Sequence, residues 1–177
     1  MKIKLDKVFT ILAFIVSVGT LYLFFNQTSL MKKQQYASVL PYLEISNTHI
    51  DGDYIFIISN NGIGPAFIDE INIHYKDSMY KNSDVNDFFT NVIVKEDTLL
   101  ANSNTTHATI KKGMLIPYGD TKEMVRLSKD AVNFDQKHYR LRDWFNNKIK
   151  IEIKYSSVYG EQWQFIYPVD DSPKKIN

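Results

Sequence analysis

Residues Val8 to Phe25 (VFTILAFIVSVGTLYLFF) form an unbroken run of 18 uncharged, mostly apolar residues. As a helix rising about 1.5 Å per residue the run spans roughly 27 Å, close to the hydrocarbon thickness of a bilayer. The chain that follows reads as a domain tied to a membrane. A buried core helix would carry a polar face, and Thr10, Ser17 and Thr20 are too few and too mild to make one. A signal peptide would have a shorter apolar run closed by a small-x-small cleavage site. This run ends in Leu23-Phe24-Phe25-Asn26-Gln27, with no Cys for lipid attachment. The expectation is an uncleaved anchor in contact with the lipid bilayer.

Basic flanks set the orientation of such a segment, and acidic residues count for little. Lys2, Lys4, Lys7 and the terminal amine precede the span, while Lys32 and Lys33 follow it. The expected layout is a cytoplasmic flank at 1–7, a transmembrane helix at 8–25 and a helical stalk at 26–40. A β-sandwich domain at 41–168 and a flexible tail at 169–177 complete it. The protein is expected to be single-pass in the inner (plasma) membrane, with its domain extracytoplasmic.

About 150 residues after the anchor suit one domain rather than two, large enough to fold without covalent staples. The count of Cys 0 requires this, and it fits an exported bacterial domain. The net charge of +1 leaves no basic field for nucleic acid, so no nucleic-acid partner is expected.

Turn signals and alternation divide the exported part. Thr28 to Val39 holds helix formers and no breaker, so it extends the anchor as a polar stalk until Pro41. Pro41 to Ile45 reads as the first strand and Asp51-Gly52 as a turn. Tyr54 to Asn60 (YIFIISN) has the nearly continuous apolar character of a central strand covered on both faces. Beyond Gly64-Pro65, Ile71, Ile73 and Tyr75 alternate with Asn72 and His74. Ser83 is read as the N-cap of a short helix burying Val85, Phe88, Phe89 and Val92. Thr106 to Lys111, Met114 to Pro117 and Thr121 to Leu127 are strand candidates. Ser128 to Asn146 reads as an irregular helical crossover. Lys148 to Tyr155 alternates strictly and turns near Tyr159-Gly160-Glu161 into a returning strand, Gln162 to Tyr167. Seven or so short strands of this kind predict a mainly β fold. The preferred form is an Ig-like β-sandwich with one or two short helical insertions, and the alternative is an α+β sheet with helices on one face.

The stretch Ser59-Asn60-Asn61-Gly62-Ile63-Gly64-Pro65-Ala66-Phe67-Ile68 resembles the Asn-x-Gly-x-Gly-Pro-Ala turn of a large group of uncharacterised bacterial proteins. Ala37 to Leu43 and Tyr155 to Trp163 look like the same group, in the same order, over most of residues 36 to 165. Leu40 departs from it, standing where Trp is expected. The resemblance implies one N-terminal membrane helix and an exported Ig-like β-domain, and it carries over no catalytic residue. Read physically, Gly62 and Gly64 permit positive φ and Pro65 fixes the next φ. Asn60, Gly62, Gly64 and Pro65 are therefore expected to form a rigid corner between two sheets. They do not suit a phosphate-cradling loop, because no Lys-Ser/Thr pair follows.

No set of residues demands chemistry. His49, His74, His107 and His138 show neither His-x-His nor His-x-x-x-His spacing, so no metal site from local ligands is expected. Asn82, Ser83, Asp84, Asn86 and Asp87 offer oxygens, but they lack the Gly and distal Glu of an EF-hand and suit helix capping. No Gly-x-Ser-x-Gly is present and no Cys exists to act as a nucleophile. Neither a cofactor nor catalytic activity is expected. Tyr118, Tyr159, Trp163 and Tyr167 cluster in or beside the late turns. They are either a protein-binding patch or, in the preferred reading, the closure of the core, with Trp163 buried. The expected function is membrane-anchored binding or scaffolding, through a protein partner or self-association at a strand edge or aromatic patch. The alternative is a ligand-sensing or effector subunit of a membrane-associated system.

Overall fold

The computed structural model describes residues 5–101, 105–107 and 109–176. The chain divides into two compact units, Met1–Ser38 and Val39–Asn177.

The first unit is one helix, α1 (Leu5–Ala37), with 33 residues and no buried side chain. It is long and apolar enough to span a membrane. Its hydroxyls return to the helix itself: Thr10 Oγ1, Ser17 Oγ and Thr20 Oγ1 each donate to the carbonyl four residues back at 2.8 Å. These three hydroxyls are thus satisfied within the helix itself.

The second unit is β-rich. Its strands are β1 (Leu43–Ile50), β2 (Asp53–Asn60), β3 (Ala66–Tyr75), β4 (Ser78–Lys81), β5 (Thr105–His107), β6 (Leu115–Ile116), β7 (Thr121–Leu127), β8 (Ile149–Ser156), β9 (Gln162–Tyr167) and β10 (Lys174–Lys175). They form two antiparallel sheets. One runs β1-β2-β7-β5 and the other β10-β9-β8-β3-β4, with β6 also on β3. Asp51 and Gly52, both at positive φ, close β1 onto β2 in the two-residue turn that Asp-Gly favours.

Alternation places the core. Along β8, Ile149, Ile151, Ile153 and Tyr155 are buried, as are Trp163 and Phe165 on β9 and Ile71, Ile73 and Tyr75 on β3. They join Leu43, Ile45, Tyr54, Phe56, Ile58, Val125 and Leu127 of the other sheet in one apolar cluster. Phe56 stacks on Phe145 at 4.2 Å and Tyr155 on Trp163 at 5.8 Å.

Two helical insertions add to this core. In the first, α2 (Val85–Phe88) continues through a π-helical turn (Phe89–Ile93) into α3 (Val94–Glu96) and buries Val85, Phe88, Phe89 and Ile93. The second is α4 (Phe134–Asp143), followed by a π-helical turn (Trp144–Lys148) that buries Trp144 and Phe145.

Several boundaries differ from expectation. The first strand begins at Leu43 rather than Pro41, because Pro41 has no N–H and the Tyr42 N–H turns to the Asn60 side chain. The cap of α2 is Asp84 rather than Ser83, its carboxylate accepting from Asn86 N at 2.7 Å. Among the described residues ten strands form where about seven are expected, the short β4 and β10 having no counterpart among the candidates. The presumed tail is also structured in part. Lys174 and Lys175 pair with Gln164 and Trp163, held by ion pairs from Lys174 to Asp170 and from Lys175 to Glu161.

Candidate functional site

The residues from Asn60 to Pro65 carry the chain from β2 in one sheet to β3 in the other. Asn60 is fully buried and its amide is fully used. Oδ1 accepts from the N–H groups of Tyr42 and Gly62, both at 3.1 Å. Nδ2 donates to the carbonyls of Gly64 at 2.8 Å and Ile116 at 3.0 Å. The turn also takes up backbone of the entering segment, with Asn61 N donating to Tyr42 O and Ile63 N to Leu40 O, both at 2.8 Å. Neither Gly62 nor Gly64 has positive φ, contrary to expectation. Close approach is what excludes a side chain. A Cβ on Gly62 would lie 2.3 Å from Leu40 O, and one on Gly64 would lie 2.0 Å from Val39 O. The corner is thus a clamp on residues 39–42, where the chain enters the β-domain.

The four aromatic candidates separate. Tyr118 and Tyr159 are exposed, while Trp163 is buried under Tyr155. Tyr167 packs against the core and donates from its hydroxyl to Asn146 Oδ1. The period of two along β9 puts Trp163 and Tyr167 on one face, toward the core. A single exposed patch of all four is therefore not assembled.

β1 presents an edge. Among the described strands it pairs only with β2, and the Ile50–Asp53 pair closes the two-residue turn. Antiparallel alternation then directs the N–H and C=O groups of Leu43, Ile45, Asn47 and His49 away from β2. Leu43 N is covered, donating to the Tyr155 hydroxyl at 3.3 Å. Burial pushes the Tyr155 phenol well above its ordinary range, as does neighbouring Tyr42, and the Leu43 N–H only partly opposes them. Among the described residues, the backbone of Ile45, Asn47 and His49 has no hydrogen-bond partner on the open side. The other edges, β4, β5 and β10, have four, three and two residues, against eight in β1.

A polar hollow of about 370 Å³ lies on the sheet formed by β3 and β8, lined by Glu70, Asn72, Met79, Lys81, Asn82, Glu152 and Lys154. At its centre the Glu152 carboxylate, 12% exposed, hydrogen-bonds His74 Nε2 at 3.0 Å and Gln164 Nε2 at 2.5 Å. Burial pushes this carboxyl up. The hydrogen bonds from His74, Gln164 and Asn72, with the Lys154 charge, outweigh burial and leave it below the ordinary glutamate value. Lys154 bonds Glu70 at 3.0 Å beside it.

Among the described residues no three or more His, Asp or Glu side chains converge as metal ligands. The loop at Asn82 to Asp87 caps α2 through Asp84. Two histidines 89 positions apart do meet: the rings of His49 and His138 lie 5.4 Å apart at 87°. Spacing along the chain could not reveal this pair, nor the open side of β1, since both arise from tertiary pairing.

No protein-family model matches this chain, and no curated protein matches it significantly.

Proposed function

We propose that this protein is a membrane-anchored, extracytoplasmic binding or scaffolding protein without catalytic activity. Its two sheets make an Ig-like sandwich of the bacterial group whose Asn-x-Gly-x-Gly-Pro-Ala turn it resembles. α1 holds it in the inner membrane, with the N-terminus cytoplasmic on the evidence of Lys2, Lys4 and Lys7. It docks a protein partner by strand addition to β1. The observation that carries this reading is the open side of β1, the only edge among the described strands longer than four residues. An extended segment laid there gains main-chain hydrogen bonds along Ile45 to His49.

A substitution isolates this mode. Asn47→Pro removes an outward N–H while leaving the β2 ladder whole, because proline is tolerated where an edge strand faces solvent. A photoreactive side chain at Thr48 is expected to crosslink a partner in intact cells, and Asn47→Pro is expected to abolish that crosslink with little change in melting temperature. Crosslinking that survives the proline rules out strand addition.

A second reading, a ligand-sensing or effector subunit, draws on the hollow around Glu152, where polar groups from three strands converge. Its test is a small-molecule screen by thermal shift against Glu152→Gln.

A further inference from the structure

β1 carries none of the devices by which sheet edges avoid one another. Its residues, Leu43–Ile50, include no Lys, Arg or Pro, and its register with β2 runs without a bulge from Leu43 opposite Asn60 to Ile50 opposite Asp53. The other described edges are short, and two of them hold lysine: Lys81 on β4, Lys174 and Lys175 on β10. Within this chain, the edge that matches β1 in length and in lack of protection is β1 of another copy.

Self-pairing has one register that uses every free position. The open N–H and C=O groups belong to Ile45, Asn47 and His49, a set symmetric about Asn47. Two antiparallel β1 strands related by a two-fold axis at Asn47 set Asn47 against Asn47 and Ile45 against His49, with about six main-chain hydrogen bonds. A slip of two residues one way spends His49 on Leu43, whose N–H already donates to the Tyr155 hydroxyl. The opposite slip spends Ile45 on Asp51, which is in the turn at positive φ.

Side chains agree with this register. Ser46 faces Thr48, hydroxyl to hydroxyl, and Asn47 faces its own amide. Glu44 lies opposite Ile50, so no like charges meet. Asn47 and His49 on one face of the strand, and Glu44 and Ile50 on the other, are exposed, which leaves room for a strand alongside.

We propose that the occupant of the β1 edge is β1 of a second copy, in a two-fold dimer whose β1-β2-β7-β5 sheets run on as one. This rests on the strand-addition reading above and names its partner. The contact is isologous and stops at two copies. One edge on another makes an interface of the weak class, under about 1,200 Å². α1 is long and apolar enough to span a membrane, and confining copies to one membrane raises their effective concentration at that edge.

Because the chain has Cys 0, each introduced thiol is unique. The test oxidises single-Cys variants of the full chain in cell membranes with copper phenanthroline. In the proposed register the two Asn47 Cα atoms lie about 5.5 Å apart, within disulfide range, and the two Glu44 Cα atoms roughly 20 Å apart. Asn47→Cys is therefore expected to give at least about tenfold more disulfide-linked dimer than Glu44→Cys, also at an exposed position. A photoreactive side chain at Thr48 should, independently, crosslink to a dimer of this chain. An Asn47→Cys chain that stays monomeric overturns the second copy, and so does Glu44→Cys linking as readily. If a Thr48 crosslink to a different protein is then lost with Asn47→Pro, the second copy is excluded while strand addition stands. If that crosslink survives the proline, strand addition fails as well.

Discussion

The side chain of Asn60 accepts a hydrogen bond from the backbone N–H of Tyr42 at 3.1 Å, joining the end of β2 to the segment that leads into β1. The same amide holds Gly62, Gly64 and Ile116. One buried polar group thus organises the entry strand, its own turn and β6. Breaking it should cost more than an average core substitution.

Asn60→Ala leaves two N–H groups and two carbonyls without this partner. Each orphaned buried group costs about 1–3 kcal/mol and the losses are not additive, so roughly 3 kcal/mol is expected in urea unfolding. Asn60→Asp should not rescue. It keeps the acceptor but turns a carboxylate toward the carbonyls of Gly64 and Ile116. That raises the folded carboxyl pKa, so the Asp variant should regain stability as pH falls from neutral, when the protonated group supplies one donor. Unfolding at pH 7 and pH 5 measures both effects.

The two glycines should rank by the contact that a Cβ would make. At Gly64 the obstruction is Val39 O at 2.0 Å, with the Val39 carbonyl carbon and Cα behind it; at Gly62 it is Leu40 O at 2.3 Å. All are backbone, which yields less than the end of a side chain. Overpacking of this kind costs typically 1–3 kcal/mol and occasionally more. Gly62→Ala and Gly64→Ala are both expected to exceed about 3 kcal/mol, Gly64→Ala being the worse. Gly113→Ala, at φ +84° with nothing within 4 Å, measures positive-φ strain instead, which neither Gly62 nor Gly64 carries.

These positions also show where the sequence is readable. Strict alternation over Ile149 to Tyr155 and the Asp51-Gly52 turn depend on local chemistry, and β8 and the first hairpin lie where they predict. The Asn60 turn is recognisable as a corner. Its mechanism is not, because what excludes a side chain at Gly62 is the passage of residues 39–42, brought there by the fold. The strand β10 escapes prediction for the same reason, while β5 and β6 overlap the candidates at Thr106 to Lys111 and Met114 to Pro117. Two or three residues become a strand only when a neighbouring strand offers them a ladder. Trp163 is readable as core from its period with Phe165 and Tyr167, whereas Tyr118 and Tyr159 sit in turns whose exposure periodicity cannot assign.

Tyr155→Phe removes the hydroxyl that accepts from Leu43 N. The unpartnered N–H should cost about 1–2 kcal/mol. The hydroxyl also links stability to alkaline pH. Its pKa is raised in the folded state, chiefly by burial, from an ordinary value of about 10. This contribution is therefore fully present below about pH 10 and is lost as pH rises through the higher folded value. Tyr54, pushed up to about 12 by burial, adds a loss of the same sign. Wild-type stability should fall above pH 10, and Tyr155→Phe should show a shallower fall that Tyr54 still sustains. Chemical denaturation between pH 8 and 11 distinguishes the two slopes.

The membrane orientation can be read from a single thiol, because the chain has Cys 0. Ser172 is exposed between β9 and β10, so Ser172→Cys presents an accessible sulfur at little cost to the fold. With the domain outside the inner membrane, an impermeant maleimide should label this thiol in intact cells whose outer membrane, if they have one, has been opened. The extent should match that in lysed cells. A second variant, Lys7→Cys on the opposite flank, should label only after lysis. If the pattern reverses, the domain is cytoplasmic, and strand addition at β1 would then have to recruit a partner from inside the cell. The two thiols together make the result independent of labelling efficiency, since orientation is given by which of them is protected.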